Sequence, residues 1–229
     1  MIEMNVVKLS KSFGATDIFR NITFEVHTKD RIGIVGRNGC GKTTLLRTIM
    51  GEWQADEGQI AARKGMTKGY LNQIPEYPET LSVEQVIRQA FRVLDQIRHK
   101  MQCLETYFAE GHMSMADAKL VGLDHLIQTD AISLDLQQMD HGLEQYGKWS
   151  HRFEELGGYE VDTRVSQICE GLRIDREMLA QPFNDLSGGE KTRVQLAKIL
   201  CDAPELLLLD EPSNHLDIVS IEWLEEYLK

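Results

Sequence analysis

Gly36-Arg37-Asn38-Gly39-Cys40-Gly41-Lys42-Thr43 is the stretch on which the reading of this chain turns. It fits the pattern G-x4-G-K-[S/T], and it lies between Arg31-Ile32-Gly33-Ile34-Val35, whose apolar content reads as a strand, and a segment ending at Gly51 whose apolar residues recur at helical spacing. In a strand-loop-helix unit of this kind, glycines let backbone N–H groups turn inward toward phosphate oxygens, with the positive end of the helix dipole behind them. Lys42 then supplies a point charge to the outer phosphates and Thr43 a hydroxyl to Mg²⁺. The nucleotide-contacting set is therefore Gly36, Arg37, Asn38, Gly39, Cys40, Gly41, Lys42, Thr43 and Thr44. The plainer reading, a glycine-rich turn capping an ordinary helix, loses weight because both flanks match.

Downstream, Leu206 to Leu209 form a continuous apolar run closed by Asp210 and Glu211, as expected of a central parallel strand buried on both faces. Such strands deliver polar residues to the C-terminal edge where ligands of open α/β sheets bind. Adjacent strand residues point to opposite sides, so the two acids take different jobs. Asp210 is expected to hold Mg²⁺ and Glu211 to polarise the attacking water.

Between these two stretches, Leu186-Ser187-Gly188-Gly189-Glu190 opens a helical segment. Ser187 and Glu190 satisfy a capping box, which by itself accounts for a helix start. Capping does not need Gly188 and Gly189, yet they would let a phosphate approach the exposed backbone N–H groups, so a second anion site is expected.

The rest of the chain reads as an α/β core interrupted by helix. Strands are expected at 6–9, 21–26, 31–36 and 66–71. From Ser82 the period changes: Val83, Val86, Ile87, Ala90, Phe91 and Leu94, then Ile97, Met101 and Leu104, recur every three or four residues. After a break at Glu110-Gly111, a second helical stripe is expected through Leu120, Leu123, Leu126, Ile127, Leu134, Leu136, Met139 and Leu143. This gives three parts: a first core portion over 1–81, a helical subdomain over 82–156 and a second core portion over 157–229, whose final helical segment runs to Lys229 without a cap.

At 229 residues, with 42% hydrophobic and 27% charged residues, the composition is that of a soluble globular protein. No run approaches the roughly 18 apolar residues of a membrane-spanning helix, so a cytoplasmic protein without membrane contact is expected. A net charge of −11 works against a broad grip on nucleic acid. Cys40, Cys103, Cys169 and Cys201 show no CxxC pairing and no histidines at ligand spacing, and are read as reduced thiols, with no structural zinc expected.

In their order along the chain, the three motifs resemble those of ABC ATPases, with Leu186 to Glu190 similar to the signature motif. The resemblance implies a P-loop ABC cassette with a mixed β-sheet core, an ATPase that uses ATP and Mg²⁺. It also implies that Phe13 stacks on adenine and that Gln73, reaching Mg²⁺ and the γ-phosphate, joins Lys42 and Glu211 in catalysis and Thr43 and Asp210 around the metal. The stretch Glu211-Pro212-Ser213-Asn214-His215-Leu216-Asp217 and the long helical insertion resemble the ABC-F branch, with Ser213 in place of the usual threonine. In that family one cassette's signature closes on ATP held by another's P-loop, which implies that Ser187, Gly188, Gly189 and Glu190 serve a nucleotide in trans. The partner would be a second cassette of the same full-length chain or a head-to-tail copy. The histidine switch, interdomain linker and second cassette are expected beyond Lys229. The branch further implies action on the ribosome, with rRNA, ribosomal proteins and tRNA as partners, antibiotic resistance by ribosome protection being one form of it. The other readings are a transporter's nucleotide-binding subunit and a non-catalytic regulatory or scaffold cassette, against which the intact Lys42, Asp210 and Glu211 count. Residues 82–150 carry six Lys or Arg against ten Asp or Glu, a net of −4, so the arm is expected to meet ribosomal protein, or RNA only through cations such as Arg88, Arg92, Arg98 and Lys100.

Overall fold

The computed structural model describes residues 1–71, 77–123 and 136–229, with side chains at all of these except 136–138 and 215. Three strands, β1 (Ile2–Phe13), β2 (Thr16–His27) and β3 (Glu57–Ala62), form an antiparallel sheet in the order β2-β1-β3. Gly14, at φ +60°, turns the β1-β2 hairpin so that Phe13 pairs with Thr16. Met4, Val6 and Leu9 point inward from β1 and pack on α1 (Lys42–Met50) through Leu45, Leu46 and Ile49. The helix ends on Gly51 at φ +85°, as its sequence requires.

A second, parallel pair joins β4 (Lys68–Tyr70) to β5 (Leu206–Leu208). Leu208 packs with the β1-α1 cluster, whereas Leu207 and Leu209 pack against the helical core, so alternation along β5 ties the two cores together. Antiparallel and parallel pairing thus both occur, divided between two sheets among the described residues.

The strand expected at 31–36 is a correction. These residues form no assigned strand and are exposed, Val35 at 97% and Ile32 at 50%. Apolar content raised the expectation, but a strand exists only through a paired neighbour, and β5 pairs with β4 instead. For the same reason β5 is not the fully buried strand its leucines suggest: Leu206 and Leu207 stay half-exposed. β3, by contrast, carries a weakly apolar sequence and gave no signal; its pairing with β1 makes it a strand.

The helical part consists of α2 (Val83–Arg88), α3 (Arg92–Glu110), α4 (Met115–Val121) and α5 (Leu136–Glu155). Val83, Val86, Ile87, Phe91, Leu94, Ile97 and Met101 are buried in one core with Val194, Leu196, Ala197 and Leu200 of α8 (Gly188–Asp202). The expected three- and four-residue period is therefore the buried face. Gly111, at φ +76°, ends α3 at the expected break, and Leu104, Tyr107, Met113, Ala118, Val121 and Leu123 form a separate cluster beyond it.

The second stripe is partly corrected. Leu123 is buried, but Leu120, Met139 and Leu143 are exposed, and Leu126, Ile127 and Leu134 lie outside the described residues. α5 packs on α3 through aromatic groups instead: Phe153 is buried and Tyr146 and Trp149 are partly so, at helical spacing that a search for leucines overlooks. The chain returns through α6 (Val161–Gly171) and α7 (Arg176–Ala180) to α8, then β5 and α9 (Ile218–Tyr227). No described helix is long and apolar enough to cross a membrane.

Candidate functional site

Gly36 to Thr43 wrap the start of α1. Gly39 and Gly41 sit at φ +79° and +96°, left-handed backbone that the glycines supply without a Cβ clash. At Gly41 the need is double, because a Cβ there would run into Ile18 of β2. At Gly36 a Cβ would meet the Cys40 sulfur at 2.5 Å, which gives Cys40 a place in the loop's packing that its sequence position did not disclose. Gly41 offers no capping side chain, so the first N–H groups of α1 have no side-chain acceptor of that kind. A helix start left open in this way suits an anion.

Lys42 folds back over the loop. Its Nζ donates to the carbonyls of Gly36, at 3.0 Å, and Arg37, at 3.3 Å, and lies 3.5 Å from Oε1 of Glu211. Thr43 Oγ1 donates to Asp210 Oδ2 at 2.6 Å. Each adjacent acid thus has its own partner on the loop, and the cause is not the strand alternation invoked from the sequence. β5 ends at Leu208, and Glu211 adopts left-handed backbone, φ +48°, an uncommon conformation for a residue with a Cβ. That turn, not strand alternation, separates the two carboxylates. Asn214 Nδ2 donates to Glu211 Oε2 at 2.8 Å and holds the carboxylate from the far side.

A cleft of about 330 Å³ contains Lys42, Asp210 and Glu211 together with apolar residues of β5 and Ile32 and Ile34. Ser187 to Glu190 are not among its lining residues. They stand at the start of α8, where the capping box forms in full: Glu190 N–H donates to Ser187 Oγ at 3.4 Å, and Ser187 N–H donates to Glu190 Oε2 at 2.8 Å. Those bonds from Ser187 hold the Glu190 carboxyl below its usual range. Among the described residues nothing lies within 4 Å of where a Cβ would stand on Gly188 or Gly189, which leaves that backbone open to an approaching group.

Phe13 is half-exposed at the hairpin end of β1, edge-on to Trp53 at 5.2 Å between ring centres, with Lys11 Nζ 5.4 Å from its ring. The sequence gave no signal for Trp53, because its meeting with Phe13 depends on how the hairpin packs beside α1. Gln73 lies outside the described residues. Asp217, in the stretch after Glu211, caps α9 by accepting from Ser220 N–H at 2.8 Å and pairs with Arg173 at 3.3 Å.

All four cysteines are free, as expected. The expectation that none has a histidine at ligand spacing is corrected: His99 precedes Cys103 by one turn of α3, with the Asp117 carboxylate beside the thiol. The signal was His-x3-Cys, a spacing that becomes proximity only on a helix.

A loop of this form, with a strand end that brings two acids to its lysine and threonine, is the architecture of P-loop nucleotide-binding proteins. Within that class the chain belongs to the ABC transporter family, whose model matches residues 19–214, and it is an ATP-binding cassette. It is 32% identical to ABC transporter F family member 5 of Arabidopsis thaliana, over 96% of this chain and 29% of that protein. It is 30% identical to the energy-dependent translational throttle protein EttA of Mycobacterium tuberculosis, over 96% of this chain and 35% of that protein. The solved structure of the ATP binding subunit of an ABC transporter shares the fold at a TM-score of 0.60 and 19% identity, covering 98% of this chain and 72% of that one. The chain spans about a third of the length of the curated relatives it matches.

Proposed function

We propose that this chain is an ATP-hydrolysing cassette of an ABC-F protein that acts on the ribosome. The observation that carries the ATPase part is the pairing of the adjacent acids Asp210 and Glu211 with Thr43 and Lys42, consecutive residues at the start of α1. The hydroxyl and carboxylate oxygens of Thr43 and Asp210 are the hard donors Mg²⁺ prefers, so this pair fits the ion, with Gln73 as a further ligand. When bound, Mg²⁺ neutralises charge on the phosphates. Lys42 and the open N–H groups of α1 hold the phosphate chain, Phe13 stacks on the base, and Glu211, steadied by Asn214, accepts a proton from the attacking water. Ser187 to Glu190, which open the separate helix α8 and resemble the ABC signature motif, face a nucleotide held by a second cassette. The proposed division is a core over 1–81 and 157–229 with a helical arm over 82–156.

The ribosomal part is supported by Glu211 to Asp217, by the helical insertion and by the similarity to the F family member and the translational throttle protein. Three of the arm's cations are already engaged within the chain. Arg88 pairs with Glu84 at 2.8 Å and Asp162 at 2.9 Å, Arg98 with Asp95 at 3.8 Å, and Lys100 sits 3.9 Å over the Trp149 ring. With those charges occupied and a net of −4 across 82–150, the arm is better suited to ribosomal protein than to RNA.

The test is Glu211→Gln in the complete polypeptide that contains this chain. ATP should still bind while the closed state fails to reopen, so the variant should co-sediment with ribosomes in the presence of ATP and inhibit cell-free translation. Adding Lys42→Ala should relieve that inhibition. Translation unaffected by the single variant, together with capture of a membrane partner, would establish the transporter reading instead.

A further inference from the structure

We propose that His99, Cys103 and Asp117 form a binding site for a thiophilic divalent transition metal ion, of which Zn²⁺ and Co²⁺ are the probes. His99 and Cys103 lie one turn apart on the same face of α3, and the left-handed turn at Gly111 brings α4 back so that Asp117 stands against them. Cys103 Sγ lies 4.0 Å from His99 Nδ1 and 3.5 Å from Asp117 Oδ1, and the three donor atoms all fall within 4.8 Å of one another.

A tetrahedral zinc ion with bonds of about 2.3 Å to sulfur and about 2.0–2.2 Å to nitrogen or oxygen places those donors about 3.6 Å apart. The two separations from the sulfur, 4.0 and 3.5 Å, bracket that value, so the donors stand near the spacing that such an ion requires. The carboxylate is also held in place: Ser114 Oγ donates to Asp117 Oδ2 at 2.6 Å, which leaves Oδ1 facing the thiol. A hydrogen bond to the far oxygen of a ligating carboxylate fixes the direction in which the near oxygen points.

The donor set names the metal class. A thiolate with an imidazole favours Zn²⁺ or Co²⁺ over Mg²⁺ or Ca²⁺, which take oxygen donors, so this site would not compete for the Mg²⁺ that Thr43 and Asp210 would hold. On binding, the Cys103 S–H bond breaks, its proton leaves to solvent and a sulfur–metal bond forms, with no change in oxidation state. Three protein donors leave the fourth position to water. The consequence is mechanical: the ion would tie α4 to α3 beside the cluster of Leu104, Tyr107 and Val121 and so brace that part of the helical subdomain.

The experiment uses this chain, reduced, metal-free and nucleotide-free, in a Cys40→Ser background that removes the exposed thiol. Titration with Co²⁺ should give a sulfur-to-cobalt charge-transfer band in the near ultraviolet that saturates at one equivalent, and Zn²⁺ should bleach it and raise the Tm. Cys103→Ser should remove the band, and His99→Ala and Asp117→Asn should weaken binding. Ser114→Ala should weaken it about tenfold or more through the freed carboxylate. Circular dichroism checks that each variant is folded; should Cys103→Ser fail to fold, the exposed His99→Ala decides. Absence of the band at saturating Co²⁺, or a band of undiminished intensity in folded Cys103→Ser or, failing that, unchanged affinity in His99→Ala, overturns the proposal.

Discussion

Thr43 and Asp210, 167 residues apart in sequence, meet in a 2.6 Å hydrogen bond that joins the start of α1 to the end of β5. If both oxygens hold Mg²⁺, their effect on nucleotide binding must depend on the ion. ATP bound only by the folded chain raises the Tm by mass action, and adding Mg²⁺ should raise it further. Asp210→Asn should lose the Mg²⁺ increment and keep the shift from ATP alone, whereas Lys42→Ala should lose most of both. Thermal melts with ATP, with and without Mg²⁺, decide it; an unchanged increment in Asp210→Asn would remove Asp210 from the metal site.

Thiol reactivity should report on the loop. Cys40 is exposed, whereas burial pushes the Cys169 thiol up to about 11 and the Cys201 thiol up to about 12. A thiol reagent at pH 8 should modify Cys40 first and leave Cys169 and Cys201 until the chain unfolds. ATP with Mg²⁺ should slow modification of Cys40 in the parent chain and not in Lys42→Ala. Mass spectrometry of the labelled peptides measures this, and equal rates with and without ATP would separate Cys40 from the nucleotide.

Asp56 gives a pH-dependent clamp near Phe13. It accepts from Lys11 Nζ at 2.8 Å and from the backbone N–H and hydroxyl of Ser12, each at 2.6 Å, and these bonds hold its carboxyl down to about 2. A folded-state value below the ordinary 3.8 means that the charged carboxylate favours the fold above about pH 4 and that this contribution is lost as pH falls toward about 2. Asp56→Asn should therefore lower the Tm at pH 7, with a gap that narrows below pH 4. A gap of the same size at pH 7 and pH 3 would show that the charge is not the cause.

Gly171, at the end of α6, carries no side chain where the Trp223 ring of α9 crosses it. Gly171→Ala would drive a methyl group into that ring, and overpacking of this kind costs about 1–3 kcal/mol. Chemical denaturation should show the loss, and Gly171→Ala combined with Trp223→Leu should recover part of it because the crossing ring is gone. A fully neutral single substitution would mean that α9 slides freely on α6.

Much of this protein was legible without coordinates because its chemistry is local in sequence. The Gly36–Thr43 loop, the Ser187–Glu190 capping box and the three- and four-residue period from Val83 to Leu104 are each set by residues a few positions apart, where backbone freedom, capping and helical spacing act directly. Tertiary structure decided whatever depends on a distant neighbour. Residues 31–36 have the composition of a strand but no pairing partner among the described residues, whereas β3 lacks the composition and has one in β1. Asp210 and Glu211 were visible as acids closing an apolar run, yet their separate partners come from the left-handed turn at Glu211 and from Lys42 and Thr43 packed opposite. His99 and Cys103 are a pattern in the sequence, but only the fold-back of α4 adds Asp117, because a third donor from another helix is fixed by packing and not by spacing.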